Sequence, residues 1–414
     1  MTEYIGVELQ MNRFTRRRAE ALARKSKLQQ TGGVQHPSRT TSAQTTSTLP
    51  TWRMALLGSA AIGAMAVSGD IVHAQTAGAD NEPALSVSDG DNIDFLAGND
   101  TITFANTIGV NAGVTVSGGA DDDTIDLQSV NVGDNAGSSG LVLGDTGNDT
   151  INVRGSGVGR YGVGTLSGGD GNDSIFVSLS DVGSGTTGSG SIQGDAGQDT
   201  ISLDTNAFIG ATGAGTVSGG ADDDVIRSAS ANGATGDIVI GANAGSSGVI
   251  NGDGGNDSIS LLSTADFFYV GRSGEATISG GDGNDTIELT RVSIAYQGTA
   301  SGVVLGDAGD DSISISGGTG LTNIGRIGDA TVDGGIGNDT ITIGSGTFIG
   351  RFAGSSGQIL GGDGVDSITL NETRVGNSGD GTVSGGAGND LIALSNSTVI
   401  GTELGRASSG RCWQ

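Results

Sequence analysis

Eleven aspartates stand in surroundings that could make each of them part of an ion site. Asp123, Asp149, Asp173, Asp199, Asp224, Asp257, Asp285, Asp311, Asp339, Asp366 and Asp390 all follow a glycine by five residues, in the pattern G-[GD]-x-G-x-D-[ST]-I-x. Clear copies read GGDGNDTI at 280–287, GDTGNDTI at 144–151 and GGAGNDLI at 385–392; Asp100 belongs to a degenerate first copy. Glycine permits backbone that a side chain forbids, so a run of glycines makes a tight turn whose carbonyls can face one point. The aspartate adds a charged oxygen. Ca²⁺ takes about six to eight such oxygens, from carboxylates and carbonyls. One octapeptide of this kind is an ordinary Asn-Asp turn; about a dozen in step point to more.

This pattern resembles the glycine- and aspartate-rich nonapeptide of RTX (repeats-in-toxin) calcium-binding proteins, a β-helix repeat. The resemblance implies that the eleven sixth-position aspartates are Ca²⁺ ligands. It is imperfect. Asp121 and Asp222 replace the fourth glycine, Gln198 and Val365 replace the usual Asn, and Phe95-Leu96 stands where the first copy needs its glycine pair. A metal-free solenoid with Asn/Asp-Gly turns reads the same stretch.

The elements that hold these turns follow from spacing. RTX nonapeptides run back to back; here successive sixth-position aspartates are 23 to 33 residues apart, mostly near 26. A unit of that length cannot bury its own apolar face and must stack on neighbours. Ile287 and Leu289, then Val292 and Ile294, then Val304 mark short half-buried strands by their alternation. The expected fold is all-β: a β-solenoid, parallel β-helix or β-roll-like, of about 12 coils with three strands each. The metal turns would form one row along one edge.

Composition agrees. The 414 residues include 79 glycines without a G-x-y triplet, and Ile, Val and Leu recur in step with them, which excludes collagen and simple disorder. Net charge is −27. Residues 1–53 carry +6, and Asp70 is acidic, so the chain from Gln75 onward carries −32 and holds no Lys. Such a rod repels itself without counterions, and nucleic acid is not an expected partner.

In order, residues 1–53 read as a basic, polar extension with little fixed structure. Residues 54–74, with the apolar run MALLGSAAIGAMAV and Val72-His73-Ala74 as a cleavage site, read as a signal peptide. Residues 75–94 lead in and cap, 95–400 are repeats, and 401–414 end abruptly, as a truncated passenger would. An extra loop is expected near 227–243. Of Phe267, Phe268 and Tyr269, at least one should face outward, where Tyr296 could join it.

After Ala74 there is no His, no Lys and no Cys except Cys412. His-based triads and His-ligated zinc are excluded from that part. The expectation is therefore a non-enzymatic, calcium-binding structural or adhesive rod, secreted or on the surface of a Gram-negative bacterium. Long extensions before such signals resemble those of autotransporters and adhesins, which implies outer-membrane contact through a missing translocator and a partner glycan or protein on another cell. The rival reading is a polysaccharide lyase or epimerase with Ca²⁺, using Asp266, Tyr269 and Arg272.

Overall fold

The computed structural model describes residues 71–73, 78–204, 206–228, 238–263, 268–317, 321–395, 399–400 and 407–409. Among them every regular element is a strand, and every strand pair is parallel. Three sheets of 14, 13 and 10 strands run side by side, each in strict chain order. One coil shows the scheme. Glu275–Asp282 lies in the first sheet, Thr286–Thr290 in the second and Val292–Ile294 in the third; Ser301–Ala308 then returns to the first, one rung on.

The expected parallel β-solenoid is thus present, with about 11 coils against the 12 anticipated. At the start of the stack Ile108 and Val132 join the third sheet only through isolated bridges. At about 4.8 Å per coil the stack is roughly 50 Å long.

Alternation sets the core. In the coil above, Ile278, Ile287, Leu289, Val292 and Ile294 are all fully buried. Register turns them into ladders. Isoleucine follows isoleucine in the second sheet from Ile102 through Ile125, Ile151 and Ile175 to Ile368 and Ile392. Each such side chain contributes about 1.5–3 kcal/mol by burial, and slipping by one residue would turn the whole row to solvent.

Folding also reveals a longer repeat than the 26-residue one. From the inward Val or Ile of the third sheet to the second residue of the next turn is 11 residues in one coil and 13 in the next. Val158 to Gly169 and Val182 to Asp195 are one such pair, and Val270 to Gly281 and Ile294 to Asp307 another. The true unit is two coils.

The segment expected to be a signal peptide contributes Ile71–His73 as an edge strand on Asn92–Asp94. Cleavage after Ala74 would uncover that edge. The expected cap already carries two rungs, Asn81–Leu85 and Asn92–Asp94. The rest of the extension, the core of the extra loop near 227–243, and most of 401–414 lie outside the described residues. Phe268 is buried, and Tyr269 between two buried neighbours faces outward, as expected.

Candidate metal centre

Each turn joins a first-sheet strand to a second-sheet strand. Counting the first glycine as position one, positions two and four have positive φ in coil after coil. Gly281 and Gly283 sit at 120° and 133°. Where the fourth glycine is replaced, Asp121 and Asp222 keep the left-handed turn at 79° and 77°, a conformation Asp tolerates better than most residues. Those two departures therefore leave the turn intact.

The sixth-position aspartates are brought into one line. The backbone N–H of each donates to Oδ1 of its counterpart in the next coil. Asp123 donates to Asp149, Asp149 to Asp173, Asp173 to Asp199, Asp199 to Asp224 and Asp224 to Asp257, each at 2.7 Å. Asp257 continues to Asp285, Asp311, Asp339, Asp366 and Asp390 at 2.7 to 3.1 Å. Asp100 belongs to the row, and Asp80 begins it by donating to Asp100. Asp80 was not among the sequence candidates; only Gly78 two residues before it hints at the pattern.

A second ladder runs beside the first in the opposite sense. The fifth-position N–H donates backwards, to the side chain of the preceding coil: Asn148 to Asp122, Asn284 to Asn256, Asn338 to Asp310 and Val365 to Asn338. Val365 can still donate, but it ends the relay because it has no side-chain acceptor. The two opposed ladders clamp successive turns together.

The other carboxylate oxygen has no such partner. Oδ2 of Asp100, Asp123, Asp149, Asp173, Asp199, Asp224, Asp257, Asp285, Asp311, Asp339 and Asp366 is buried without a hydrogen bond. Asp390, at the end of the row, is only half-buried. Burial pushes Asp123, Asp173, Asp224 and Asp311 up to about 7, against the N–H bond each accepts and helped by neighbouring carboxylates. Burial likewise raises Asp100, Asp149, Asp199, Asp257 and Asp339 to about 6, and it raises Asp285 and Asp366. A row of buried carboxylates with an empty acceptor each is costly unless protonated or neutralised.

The first glycine explains why the oxygen fits there. A Cβ on Gly144 would lie 2.3 Å from Asp149 Oδ2 and 2.3 Å from the carbonyl oxygen of Gly168. On Gly252 it would meet Asp257 Oδ2 at 2.2 Å and Gly280 O at 2.3 Å. The missing side chain leaves a cradle bordered by one carboxylate oxygen and one carbonyl of the next coil. Both are hard oxygen donors, which suits Ca²⁺. No three acidic, His or Cys side chains converge on one point among the described residues, so a cation here would need further oxygens beyond these two to reach the roughly six to eight that Ca²⁺ takes.

Position two adds a half-frequency row. Asp145, Asp195, Asp253 and Asp307 occupy it in alternate coils, and each accepts from a serine of the preceding coil: Ser117, Ser167, Ser218 and Ser279. The coils between carry glycine. A Cβ on Gly169 would strike the Asp145 carbonyl oxygen at 2.0 Å, which is why adjacent coils never both carry a side chain there. Of the rival catalytic trio, Arg272 stacks on Tyr269 at 5.8 Å, and Asp266 lies outside the described residues.

Fold and site together define a parallel β-solenoid with one aspartate turn per coil. No protein-family model and no curated protein matches the chain. Among solved structures it is similar to a hyperactive, Ca²⁺-dependent, β-helical antifreeze protein from an Antarctic bacterium. The identity is 21%, over 81% of this chain and 85% of that one, with a TM-score of 0.38. At that level the match carries no argument about what this chain binds.

Proposed function

We propose that the coils form a calcium-stabilised structural rod, secreted or displayed on a Gram-negative cell surface, that serves adhesion without catalysis. The observation that carries this reading is the line of buried, unpartnered Oδ2 atoms. Asp123, Asp149, Asp173, Asp199, Asp224, Asp257, Asp285, Asp311, Asp339 and Asp366 would hold the ions through that atom, with Asp390 at the open end. The first-position glycine carbonyls of the next coil, such as Gly168 and Gly280, would complete part of each shell. Bound Ca²⁺ supplies the positive charge that these carboxylates lack. The Oδ1 ladder meanwhile keeps each aspartate oriented, and the first glycine keeps the cradle open.

Export and folding follow from linkage: a chain that binds an ion only when coiled gains stability with ion concentration. Low internal Ca²⁺ would keep it uncoiled, and external Ca²⁺ would set it. An autotransporter- or adhesin-like passenger is the role this suits. Repetition argues against an active site, since a catalytic carboxylate pair should be an exception and these aspartates are the rule. The test is circular dichroism of the metal-free chain during a Ca²⁺ titration with a Mg²⁺ control. A β signal that grows with Ca²⁺ alone is the expected result. A signal already complete in chelator and unmoved by Ca²⁺ would reduce the turns to turns.

A further inference from the structure

Five of the eight arginines among the described residues, Arg160, Arg272, Arg326, Arg351 and Arg374, lie along the third sheet and its outgoing corner, away from the aspartate turns that join the first two sheets. Register places two adjacent rows along the third sheet and its outgoing corner. One row is Arg272, Tyr296, Arg326, Arg351 and Asn377, each donating its N–H to the coil before. The other is Tyr269, Ser293, Asn323, Phe348 and Arg374, paired rung by rung. In a chain carrying −27, the stretch of these rows from Tyr269 to Asn377 holds four positive charges and no negative one, whereas nearer the start the same rows hold Asp134 and Asp181.

The rings prop the guanidinium groups rather than offering their own faces. Arg326 lies 4.2 Å from the centre of Tyr296 and 5.3 Å from that of Phe352. Arg351 lies over Phe348 at 4.7 Å and Phe352 at 5.0 Å, and Arg374 over Phe348 at 5.4 Å. Tyr269 and Tyr296 meet edge to face at 4.8 Å. Arg351 also donates to Asn323. None of Arg272, Arg326, Arg351 and Arg374 has an ion-pair partner among the described residues, whereas Arg160 earlier in the same row is paired with Asp134 at 3.2 Å. Glu275, Asp329 and Asp380 stand at the next corner without pairing. Burial lowers the pKa of Arg351, and the neighbouring charge of Arg326 adds to that. Four cations set beside rings, none of them in an ion pair among the described residues, form a surface suited to anions.

We propose that this strip binds an extended acidic polysaccharide, one carrying carboxylates at regular intervals. Coil spacing sets the match: Arg272 and Arg326 are two coils apart, on the order of 10 Å, which is the scale of one disaccharide. Arg forks take carboxylates bidentately and lose little freedom in doing so when already stacked. The acidic edge does not cancel the strip. At physiological salt the Debye length is about 8 Å, no longer than the thickness of two packed sheets, about 10 Å. The proposal names the partner of the adhesive role above and rests on that role, but not on how calcium is held.

The test uses the full chain in excess Ca²⁺ and labelled hyaluronan, whose carboxylate recurs every second sugar, with neutral dextran as control. Fluorescence anisotropy should show hyaluronan binding that weakens with salt, and none with dextran. The Arg326→Gln/Arg351→Gln double variant should bind at least about ten-fold more weakly, whereas Arg227→Gln, on the second sheet, should bind as the parent does. Circular dichroism separates the two readings, because the double variant should keep its Ca²⁺ response; loss of that response in the parent chain would instead count against the calcium rod. No hyaluronan binding, equal dextran binding or an unaffected double variant would overturn the proposal. So would sugar-independent self-association abolished by the same substitutions, since a second copy would then occupy the strip.

Discussion

The aspartate edge and the arginine face are built on the same coils, yet they obey different rules. Along the edge every coil repeats the same residue in the same place, from Asp100 to Asp366, all buried. Along the face the row follows no period: Arg272, Tyr296, Arg326, Arg351 and Asn377 share it, and only Arg326 and Arg351 repeat. A stacked fold demands uniformity where neighbours must fit each other. It leaves variation where the neighbour is solvent or a partner. The edge therefore reads as the part that holds the rod together, and the face as the part that makes this rod particular.

The largest effect should come from breaking the uniform edge. Replacing Asp199, Asp224 and Asp257 with Ala removes three successive rungs of the Oδ1 ladder and three of the unpartnered oxygens. Calcium-induced ordering, read by circular dichroism, should be lost from the middle of the rod and be severely reduced overall. Asp285→Ala alone should weaken only its own turn. An unchanged titration in the triple variant would separate the aspartates from calcium altogether.

Acidity sharpens the same contrast. Nine of the row aspartates, Asp100, Asp123, Asp149, Asp173, Asp199, Asp224, Asp257, Asp311 and Asp339, have folded pKa values raised by burial from 3.8 to about 6 or 7. Their protonated form favours the coil, so without metal this stability is complete below about pH 4 and lost as pH rises through 6 to 7. The melting temperature in chelator should accordingly fall between pH 4 and 8. Calcium should cancel that fall by neutralising the carboxylates. A melting temperature in chelator that rises with pH would show the row to be solvated rather than buried.

A finer break separates the two kinds of coil. Gly281 lies between Asp253 and Asp307 at position two, and a Cβ there meets the Asp253 carbonyl oxygen at 2.0 Å. Gly281→Asp should destabilise by about 4 kcal/mol or more, the range of backbone-level clashes. Gly362 lies in a long-cornered coil, between Gly335 and Gly386, where aspartate is the usual occupant. A Cβ on Gly362 would also meet a carbonyl oxygen, that of Gly335, at 2.0 Å, but other long-cornered coils take aspartate at a φ of 76 to 80°, so Gly362→Asp should cost less than Gly281→Asp, about 1–3 kcal/mol. Equal losses in chemical denaturation would remove the two-coil rule.

Much of this was legible before folding. The Ile at the eighth position and the alternation after it define the strands, because a period of two has one physical meaning. The sixth-position aspartates were identifiable as a set, and they do form one line. Their hydrogen bonding was not, since the Oδ1 of Asp149 serves an N–H 26 residues earlier, and only the register reveals that. The two-coil unit was visible as an alternation of Gly and Asp at position two, hidden by averaging the spacing to 26. The arginine rows were out of reach. Arg272, Arg326 and Arg351 are unequally spaced, and the corner lengths that align them vary with the coil.

The smallest effect tests whether the face is as dispensable to the rod as its irregularity implies. Arg326 touches two rings and the backbone oxygen of Tyr296, but it is half-exposed and carries no ion pair. A cation–π contact at such a site contributes about 0.5–1 kcal/mol. Arg326→Gln should therefore lower stability by no more than about 1 kcal/mol and leave the Ca²⁺ midpoint where it was. If it moved that midpoint, the two regions would be coupled through the coil. The face would then belong to the architecture, and its lack of period would need another cause.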